Sequence, residues 1–429
     1  MPKIQEVFGV SNKMIDTYLV REQVDGKMQA ALASDKHIVI YGTSKQGKTL
    51  LLNKCLAVED RVTFNCSLDT EVIDIYSSIV RQLGIQIERN TNVGLQNKSS
   101  LSPNMTATIK VPKLFELSGN AGGSLEEVAS DEIEYENITY DLSKAQDVSE
   151  LLKEKKLKKK IIIEDFHYLS QEIQEKLAFD LKSFYENGVI FIILGVWKEK
   201  NKLIQYNRDL TDRLESVSVE PWNKNDFVMV IEKGAQLLDL EFPEDIREEI
   251  IKNSFDNIGI LQELCKCCST HCLGRNGENI DSSDLKAALA QKREDYSIHH
   301  RQILERIANG STGVLFLPYY LVQVILETNN DKLKKGLSKK YIQYQITQRH
   351  YDKSKVRTND VTKLLHHHLK EIQYKLKITP PIFDYDIEDD NFRILDSTLF
   401  YYFYNSDKEG IEENMQIPDE LEDILNEVL

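Results

Sequence analysis

Short runs of apolar residues alternate with amphipathic segments through the first half of the chain. Runs at residues 37–41, 161–163 and 189–195 are typical of strands that are buried on both faces of a sheet. Further elements are predicted between and beyond them, namely strands at 61–66 and 217–219 and helices at 50–56 and 70–83. Strands separated by helices predict an α/β fold whose parallel sheet is covered on both faces.

Residues 85–142 interrupt this alternation with a stretch rich in Asn, Ser, Gly and Thr. Within it, residues 106–111 and 133–140 alternate between apolar and polar side chains, as exposed strands do. The pattern predicts an inserted hairpin or a mobile loop within a first domain that covers residues 1–221.

Three further units are predicted after this domain: a helical unit at 222–292, a third unit at 297–405 and an acidic tail at 406–429. The third unit shows helical patterns at 319–327, 339–349 and 359–375, with Asn359 as a plausible cap. Two strand patterns follow at 382–386 and 391–395. Three helices and a hairpin resemble a winged helix. In the tail, an apolar stripe docks either on a partner or back onto the chain, and consists of Leu421, Ile424, Leu425 and Val428.

The amino-acid composition indicates to which broad class of protein the chain belongs. The 429 residues include 41% hydrophobic and 29% charged side chains, as in ordinary globular proteins. No apolar run reaches the roughly 18 residues that a membrane span requires, and the N-terminus lacks the apolar core of a signal peptide. Six cysteines without framework spacing favour a reducing environment. We therefore expect a cytoplasmic protein that does not enter membranes.

A complete phosphate-binding motif, G-x-x-x-x-G-K-[ST], lies between a predicted strand and a predicted helix, which is the context the motif requires. Its residues are Gly42, Thr43, Ser44, Lys45, Gln46, Gly47, Lys48 and Thr49. In such a loop, backbone N–H groups and the helix N-terminus surround phosphate oxygens. Lys48 is expected to reach the β- and γ-phosphates of ATP, and the Thr49 hydroxyl to bind Mg²⁺.

Two acids follow the apolar strand at 161–163, and they supply the second half of the expected site. By register, Glu164 is the Mg²⁺ partner and Asp165 is the base that orients the attacking water. The usual order in such ATPases is Asp then Glu, so the opposite assignment stays open. His167 is close enough in sequence to touch the γ-phosphate side, but a satisfied structural histidine is the favoured interpretation.

Two arginines, Arg208 and Arg213, precede the predicted strand at 217–219. Either one could act as an arginine finger on the nucleotide of a neighbouring subunit, with Arg213 preferred. The alternative is a surface arginine beside an acidic neighbour.

These motifs, in this order, resemble those of AAA+ ATPases over roughly residues 15–290. The chain is most similar to the origin-recognition and transposition-helper ATPases, with some likeness to signalling ATPases of bacterial defence. The resemblance implies an ATP site between the core and a helical lid, and a lid arginine that senses the nucleotide. Here Gln262 stands at the place of that arginine, and the strand that ends near Trp197 lacks the usual polar sensor. Both departures favour a slow nucleotide switch.

Two other patterns have simpler interpretations. Asn223 opens an N-K-x-D sequence that reads guanine in GTPases, but it does not directly end an apolar strand, and a helix cap is favoured. The cysteines at 265, 267, 268 and 272 lie in one helical segment, which favours a structural core over a metal site.

Residues 331–378 form a basic segment in an acidic chain. They contain thirteen lysines and arginines against four acids, a net charge of +9 in a protein whose formal charge is −15. Such a segment predicts contacts with the phosphate backbone of DNA. The candidate residues are Lys339, Lys340, Arg357, Lys363 and Lys370, with Thr358, Lys363 and His367 on the third helix. The alternative is a winged helix used for protein docking, and the acidic turn at 388–390 would repel phosphate.

The sequence thus predicts a prokaryotic Mg²⁺-dependent ATPase that couples nucleotide state to assembly and DNA binding. Its partners would be ATP, DNA, and either further copies of itself or another protein. The alternative hypothesis is a signalling ATPase that binds a protein partner and controls an effector in antiviral defence.

Overall fold

A computed structural model describes residues 2–11, 13–89, 106–112, 135–197, 202–310, 313, 315–406, 408–413 and 415–428. Its strands are β1 His37–Gly42, β2 Arg61–Asn65, β3 Gln86–Arg89, β4 Thr106–Pro112, β5 Tyr135–Asp141, β6 Lys160–Glu164, β7 Phe191–Val196, β8 Leu214–Ser218, β9 Leu337–Ser338, β10 Phe383–Asp386 and β11 Asn391–Ile394.

The first domain contains seven described α-helices, of which the third and later ones lie between strands. They are α1 Ile4–Val7, α2 Lys27–Leu32, α3 Lys48–Cys55, α4 Val72–Gln82, α5 Ala145–Glu154, α6 Gln171–Glu186 and α7 Lys202–Tyr206. Helices dominate the rest of the chain, namely α8 Lys224–Leu238, α9 Glu244–Asn253, α10 Ile258–Gly274, α11 Ser282–Ala308, α12 Leu317–Glu327, α13 Asn330–Lys335, α14 Lys339–Arg349, α15 Thr358–Lys363, α16 Leu369–Lys375, α17 Ser397–Asn405, α18 Lys408–Glu413 and α19 Asp419–Val428.

The central sheet has five parallel strands in the order β2-β6-β7-β1-β8. Strand β1 lies in the interior of the sheet, between β7 and β8. Because neighbouring strands are not consecutive in sequence, the chain crosses over the sheet to connect them. Because the strands are parallel, their carboxyl ends meet at one edge, where Gly42, Glu164, Val196 and Ser218 lie. This α/β core with a phosphate loop after β1 confirms the predicted fold class.

The side chains of the central strands divide between two apolar layers. Val39 and Ile163 belong to the layer beneath α4, α5 and α6, whereas Ile38 and Ile162 belong to the layer beneath α2 and α3. Successive residues of a strand point to opposite faces, so a strand covered on both faces needs apolar residues at every position. This is why the predicted strands are continuous apolar runs rather than alternating ones.

Within the interrupting stretch, β3, β4 and β5 form a separate antiparallel sheet. The two predicted exposed strands at 106–111 and 133–140 correspond to β4 and β5, which pair with Ile109 opposite Ile138. Residues 90–105 and 113–134, which include the rest of the predicted insertion, lie outside the described residues.

The helical second half has one continuous apolar core, which extends from Val7 to Leu421 and joins the lid helices α8–α10 to the C-terminal helices. Helix α11 continues across residues 293–296, where the sequence suggested a break between units. The lid and the C-terminal unit therefore share a helix and a core. Leu421 is fully buried, and Ile424 and Leu425 pack against this core, so these three residues of the tail stripe fold back onto their own chain.

The C-terminal unit contains the predicted helices and hairpin. Strands β10 and β11 pair antiparallel, and the short β9 adds a third strand beside β11. Helices α15 and α16 are joined by the single turn Leu364–His368 into one long helix. The expectation that Asn359 caps this helix is wrong, because Arg357 occupies the cap and its backbone N–H donates to Asp360 Oδ2. Asn359 lies inside the first turn.

None of the helices in the described part of the chain is long and apolar enough to span a membrane.

Candidate nucleotide-binding site

The phosphate motif forms a loop at the carboxyl edge of the sheet, where β1 ends and α3 begins. Two glycines have left-handed backbones, Gly42 with φ of 150° and Gly47 with φ of 88°. A Cβ on Gly42 would lie 2.6 Å from the Val219 side chain, so the close approach of β8 also requires glycine there. The loop leads directly into the N-terminus of α3, which is the geometry that binds phosphate groups.

The ammonium group of Lys48 is held over this loop. Its Nζ donates to the carbonyl oxygens of Gly42 at 3.0 Å and Thr43 at 2.7 Å. Burial lowers the pKa of Lys48 to about 8, and the nearby carboxylates oppose that effect. A triphosphate in the loop would add negative charge beside the ammonium and favour its charged form.

The structure brings the expected metal-binding residues together. Thr49 Oγ1 donates to Glu164 Oε2 at 3.2 Å, and burial raises the pKa of Glu164. Hydroxyl and carboxylate oxygens suit Mg²⁺, which usually takes one or two protein ligands and completes its shell with water and phosphate oxygens. Among the described residues, no group of three or more His, Cys, Asp or Glu side chains could hold a metal alone. The Thr49–Glu164 pair therefore fits Mg²⁺ delivered with a nucleotide.

Asp165 follows at the end of β6 with a left-handed backbone, φ of 55°. Burial raises the pKa of its carboxyl group, and the positive charge of Lys48 lowers it. A carboxylate of raised pKa is a better proton acceptor, which suits a base that orients water.

His167 follows Asp165 by two residues, and the expectation of a satisfied structural histidine is wrong. Both of its ring nitrogens are buried without a hydrogen-bond partner in the described part of the chain. Burial lowers the pKa of His167 to about 3, so the ring is neutral. The ring contributes to the walls of two cavities, one at the phosphate loop and one between the core and the C-terminal unit.

Glu220 is a residue of the site that sequence reasoning missed. Its carboxylate accepts from the backbone N–H of Thr43 at 2.8 Å, the Thr43 hydroxyl at 2.7 Å and the Gln46 side-chain amide at 2.7 Å. Glu220 therefore fixes the first turn of the phosphate loop. A signal existed: Glu220 follows β8, and β8 pairs with β1, so the two strand ends had to meet.

A cavity of about 240 Å³ extends from the phosphate loop to the N-terminal segment and the lid. Its wall includes Trp222, whose ring stacks on Phe227 at 5.9 Å between centroids and receives the Arg21 guanidinium at 3.6 Å from its centroid. Apolar side chains such as Ile15 and Val230 complete the wall of this cavity.

Gln262 and Trp197, at the two expected sensor positions, make structural contacts instead. Gln262 is buried, and it accepts from Gly9 N at 3.2 Å and donates to Thr17 Oγ1 at 3.0 Å, which fastens the N-terminal segment to the lid. Trp197 folds back over Gly195, where a Cβ would lie 1.5 Å from the indole ring.

The candidate arginine finger lies at the opposite edge of the sheet. Arg213 precedes β8, and its carbonyl accepts from His37 N at the start of β1. Its guanidinium donates to Asp209 O and lies 5.6 Å from the centre of the Tyr185 ring. Since β1 places about 17 Å between its two ends, Arg213 cannot reach the nucleotide of its own chain. Arg208 is exposed nearby.

The candidate DNA-binding residues do not share one face. Lys340, Arg357 and Lys363 are exposed, whereas Lys339 and Lys370 are half-buried. Lys340 lies on α14, whereas Arg357 and Lys363 lie at the two ends of α15. The two helices contact each other through the Gln343–Thr358 hydrogen bond of 2.9 Å. Lys370 instead lies 3.6 Å from Asp384 and lines the cavity between the core and the C-terminal unit, as His367 does.

Both simpler interpretations of the remaining patterns agree with the structure. Asn223 caps α8 by accepting from Asp226 N at 2.9 Å, as predicted. Cys265, Cys267, Cys268 and Cys272 are buried in the apolar core of the lid, also as predicted.

No family model and no curated protein matches the chain. Among solved structures, the chain is similar to the ORC1 protein of Aeropyrum pernix in complex with DNA, at 10% identity and a TM-score of 0.43, covering 96% of both chains. It is similar to the RuvB Holliday junction branch migration motor of Thermotoga maritima, at 13% identity and a TM-score of 0.41, covering 96% of this chain and 100% of that one.

A further similarity is to Cdc6p from Pyrobaculum aerophilum, at 11% identity and a TM-score of 0.42, covering 95% of this chain and 100% of that one. ORC1, Cdc6p and RuvB are AAA+ P-loop ATPases, the family that the motifs resemble. Because these TM-scores lie below 0.5, the fold rests on the sheet order and loop geometry described above.

Proposed function

We propose that this chain is an ATP-binding and ATP-hydrolysing switch that depends on Mg²⁺. The observation that carries the proposal is the meeting of Lys48, Thr49, Glu164 and Asp165 at one edge of the sheet, with Thr49 and Glu164 3.2 Å apart. A lysine, a hydroxyl and two acids around a phosphate loop are the groups that phosphoryl transfer to water requires.

Each residue has a defined task in this reaction. Lys48 and the loop amides hold the β- and γ-phosphates. Thr49 and Glu164 would hold a Mg²⁺ ion, which would neutralise developing charge. Asp165 accepts a proton from the attacking water, whose oxygen bonds to the γ-phosphorus while the bond to the β–γ bridging oxygen breaks. The opposite assignment of the two acids remains the alternative. Gln262 and Trp197 are committed to structural contacts, which supports slow turnover.

ATP binding and turnover test this proposal directly. Lys48→Ala should weaken ATP binding about 100-fold, and Asp165→Asn should keep binding but slow turnover about 10²–10³-fold. Lys54→Ala is the matched control, because Lys54 is exposed on the same helix. Absence of ATP binding by the unmodified chain, or equal turnover by Lys48→Ala and Lys54→Ala, would overturn the proposal.

The position of Arg213 supports action on the nucleotide of a second copy. It cannot reach its own site, so the proposed finger works only in an assembly. Arg213→Ala should lower turnover about 10³-fold, whereas the exposed Arg208→Ala should not. Mixing Arg213→Ala with Lys48→Ala should restore part of the activity, because some interfaces then combine an intact loop with an intact arginine. Mixtures that stay inactive would exclude this role.

We also propose that nucleotide state is coupled to DNA binding through the C-terminal unit, whose helices and hairpin support a winged-helix assignment. The exposed Lys340, Arg357 and Lys363 around the α14–α15 contact support it electrostatically. The second candidate is a signalling ATPase of prokaryotic antiviral defence that docks on a protein partner. The exposed acidic turn at 388–390, between β10 and β11, supports it because this turn would repel phosphate. Stable capture of a neighbouring-gene protein without DNA would support that second candidate.

A further inference from the structure

The Gln46 side chain forms more hydrogen bonds than its position in the phosphate loop requires. It is 1% exposed, and its side-chain amide donates to Glu220 Oε1 at 2.7 Å, Asp256 O at 3.1 Å and Thr43 Oγ1 at 3.2 Å. Its carbonyl oxygen accepts from the backbone N–H of Ile258 at 3.2 Å. Asp256 and Ile258 belong to the lid, so Gln46 joins the phosphate loop to the lid by two hydrogen bonds.

Asn257 makes the reciprocal connection from the lid to the loop. Its Nδ2 donates to Ser44 O at 2.9 Å, and its Oδ1 accepts from Ile260 N at 3.1 Å. The same side chain therefore caps α10 and bonds the loop. Asn257 is 2% exposed, and a buried amide that satisfies both ends fixes one geometry.

Helix α10, which follows Asn257, packs directly against the phosphate loop. A Cβ on Gly259 would lie 2.5 Å from Lys45 Cβ and 2.9 Å from Lys45 O. Any shift of the loop at Lys45 must therefore move the start of α10.

The turn that carries these contacts is strained. Phe255 and Asp256 are consecutive left-handed residues, with φ of 51° and 59°. Bulky residues are strongly disfavoured in this region, and such a conformation persists only where the surroundings hold it. Here the bonds from Gln46 and Asn257 hold it, so losing them would release the turn.

The turn also reaches the basic C-terminal unit. The Asp256 carboxylate lies 3.5 Å from Lys334 Nζ on α13, and that ammonium lies 5.2 Å from the centre of the Phe255 ring. Residues 255–257 thus contact the phosphate loop on one side and α13 on the other.

We propose that residues 255–257, the coupling turn, transmit nucleotide occupancy from the phosphate loop to the lid and α13, with Asn257 as the positioning residue. The inference rests on the proposed function, since ATP must bind the loop. Phosphate binding reorients the backbone around residues 44–48, which moves Ser44 O and the Gln46 amide together. Gln262, at the place of a sensor arginine, is already bonded to Gly9 and Thr17 and cannot do this.

Asn257→Asp isolates the loop contact. The carboxylate keeps the acceptor for Ile260 N, so the cap survives, but it cannot donate to Ser44 O. Asn223→Asp is the matched control, because Asn223 caps α8 in the same way and has no bond to the loop. Hydrogen–deuterium exchange of the full chain, with and without a slowly hydrolysed ATP analogue, reports the opening of each backbone segment.

In the unmodified chain and in Asn223→Asp, the analogue should slow exchange at residues 254–262 and 330–338 by about fivefold or more. In Asn257→Asp the same peptides should slow by less than about twofold at concentrations of the analogue that saturate the site. Full protection in Asn257→Asp would overturn the inference. So would ATP binding to the unmodified chain without protection at 254–262, whereas failure to bind ATP at all would overturn the proposed function instead.

Lys334→Gln tests the contact of the coupling turn with α13 separately from its contact with the phosphate loop. This variant leaves the Asn257 cap of α10 unchanged. It removes the charge that pairs with Asp256, so the response should persist at 254–262 and disappear at 330–338. An unchanged response at 330–338 would exclude α13 as the output.

Discussion

A single buried polar side chain can hydrogen-bond to several elements at once, and His37 is an example. It is fully buried at the start of β1, where its Nε2 donates to Leu181 O at 2.9 Å and its Nδ1 accepts from Phe191 N at 3.0 Å. The ring therefore joins β1 to α6 and β7. Both bonds require the neutral imidazole, since a proton on Nδ1 would oppose the Phe191 N–H.

This geometry predicts a loss of stability on acidification. Burial lowers the pKa of His37 to about 4, below the value of about 6.5 in an unfolded chain. The unfolded state then binds the proton first, so the stabilisation is complete above pH 6.5 and declines as the pH falls toward 4. Between pH 7 and 5, His37 should account for about 2 kcal/mol of the lost free energy of unfolding.

Urea unfolding of the unmodified chain and of His37→Asn at both pH values measures this contribution. The variant should be less stable at pH 7 but lose about 2 kcal/mol less on acidification. Equal pH dependence in the two proteins would show that His37 is not the titrating group. His299→Asn is a suitable control, since His299 is exposed.

At the level of elements, the nucleotide cavity depends on segments that are distant in sequence. The N-terminal helix α1 and Phe8 pack on the lid helix α8, where a Cβ on Gly234 would lie 2.0 Å from the Phe8 ring. Gln262 holds the following residues, Gly9 and Thr17. This wall of the cavity is thus an N-terminal segment held by one close contact and one buried amide.

Gly234→Ala should displace Phe8 and loosen this wall. We expect a destabilisation of about 1–3 kcal/mol and weaker ATP binding, although Gly234 lies outside the phosphate loop. Gly274→Ala is the control within the same lid, because nothing lies within 4 Å of a Cβ there. That control should be neutral or more stable by about 0.4–1 kcal/mol. Thermal unfolding and ATP titration of both variants distinguish a specific clash from a general effect of alanine.

At the scale of the whole molecule, a net charge of −15 coexists with a basic segment at 331–378. The acidic remainder repels nucleic acid, so any DNA contact must be confined to the exposed basic surface around α14 and α15. Helix α11 and the shared core connect this surface to the lid. The molecule therefore places this basic surface on a unit that shares an apolar core with the lid.

Salt dependence tests whether this surface binds DNA. Replacing Lys340 and Lys363 by Gln should weaken binding and reduce the slope of log affinity against log salt by about 1.8, since each phosphate contact contributes about 0.9. The control replaces Lys54 and Lys158, two exposed lysines of the first domain, with the same change in net charge. An equal loss in both double variants would indicate general electrostatics and exclude a defined surface.

The sequence alone determined the central strands, the phosphate loop with Lys48 and Thr49, and the position of the two acids at the end of β6, because these depend on spacing within one or two neighbouring elements. Residues such as Glu220, Gln46 and Asn257 acquired their roles only from the tertiary structure. Sheet order brings the end of β8 to the loop, and the folding of the lid brings residue 257 to residue 44, across distances in sequence that local patterns do not encode. The surroundings of His167 were misjudged for the same reason: what surrounds a side chain depends on which elements pack over it, and here that was the C-terminal unit against the core.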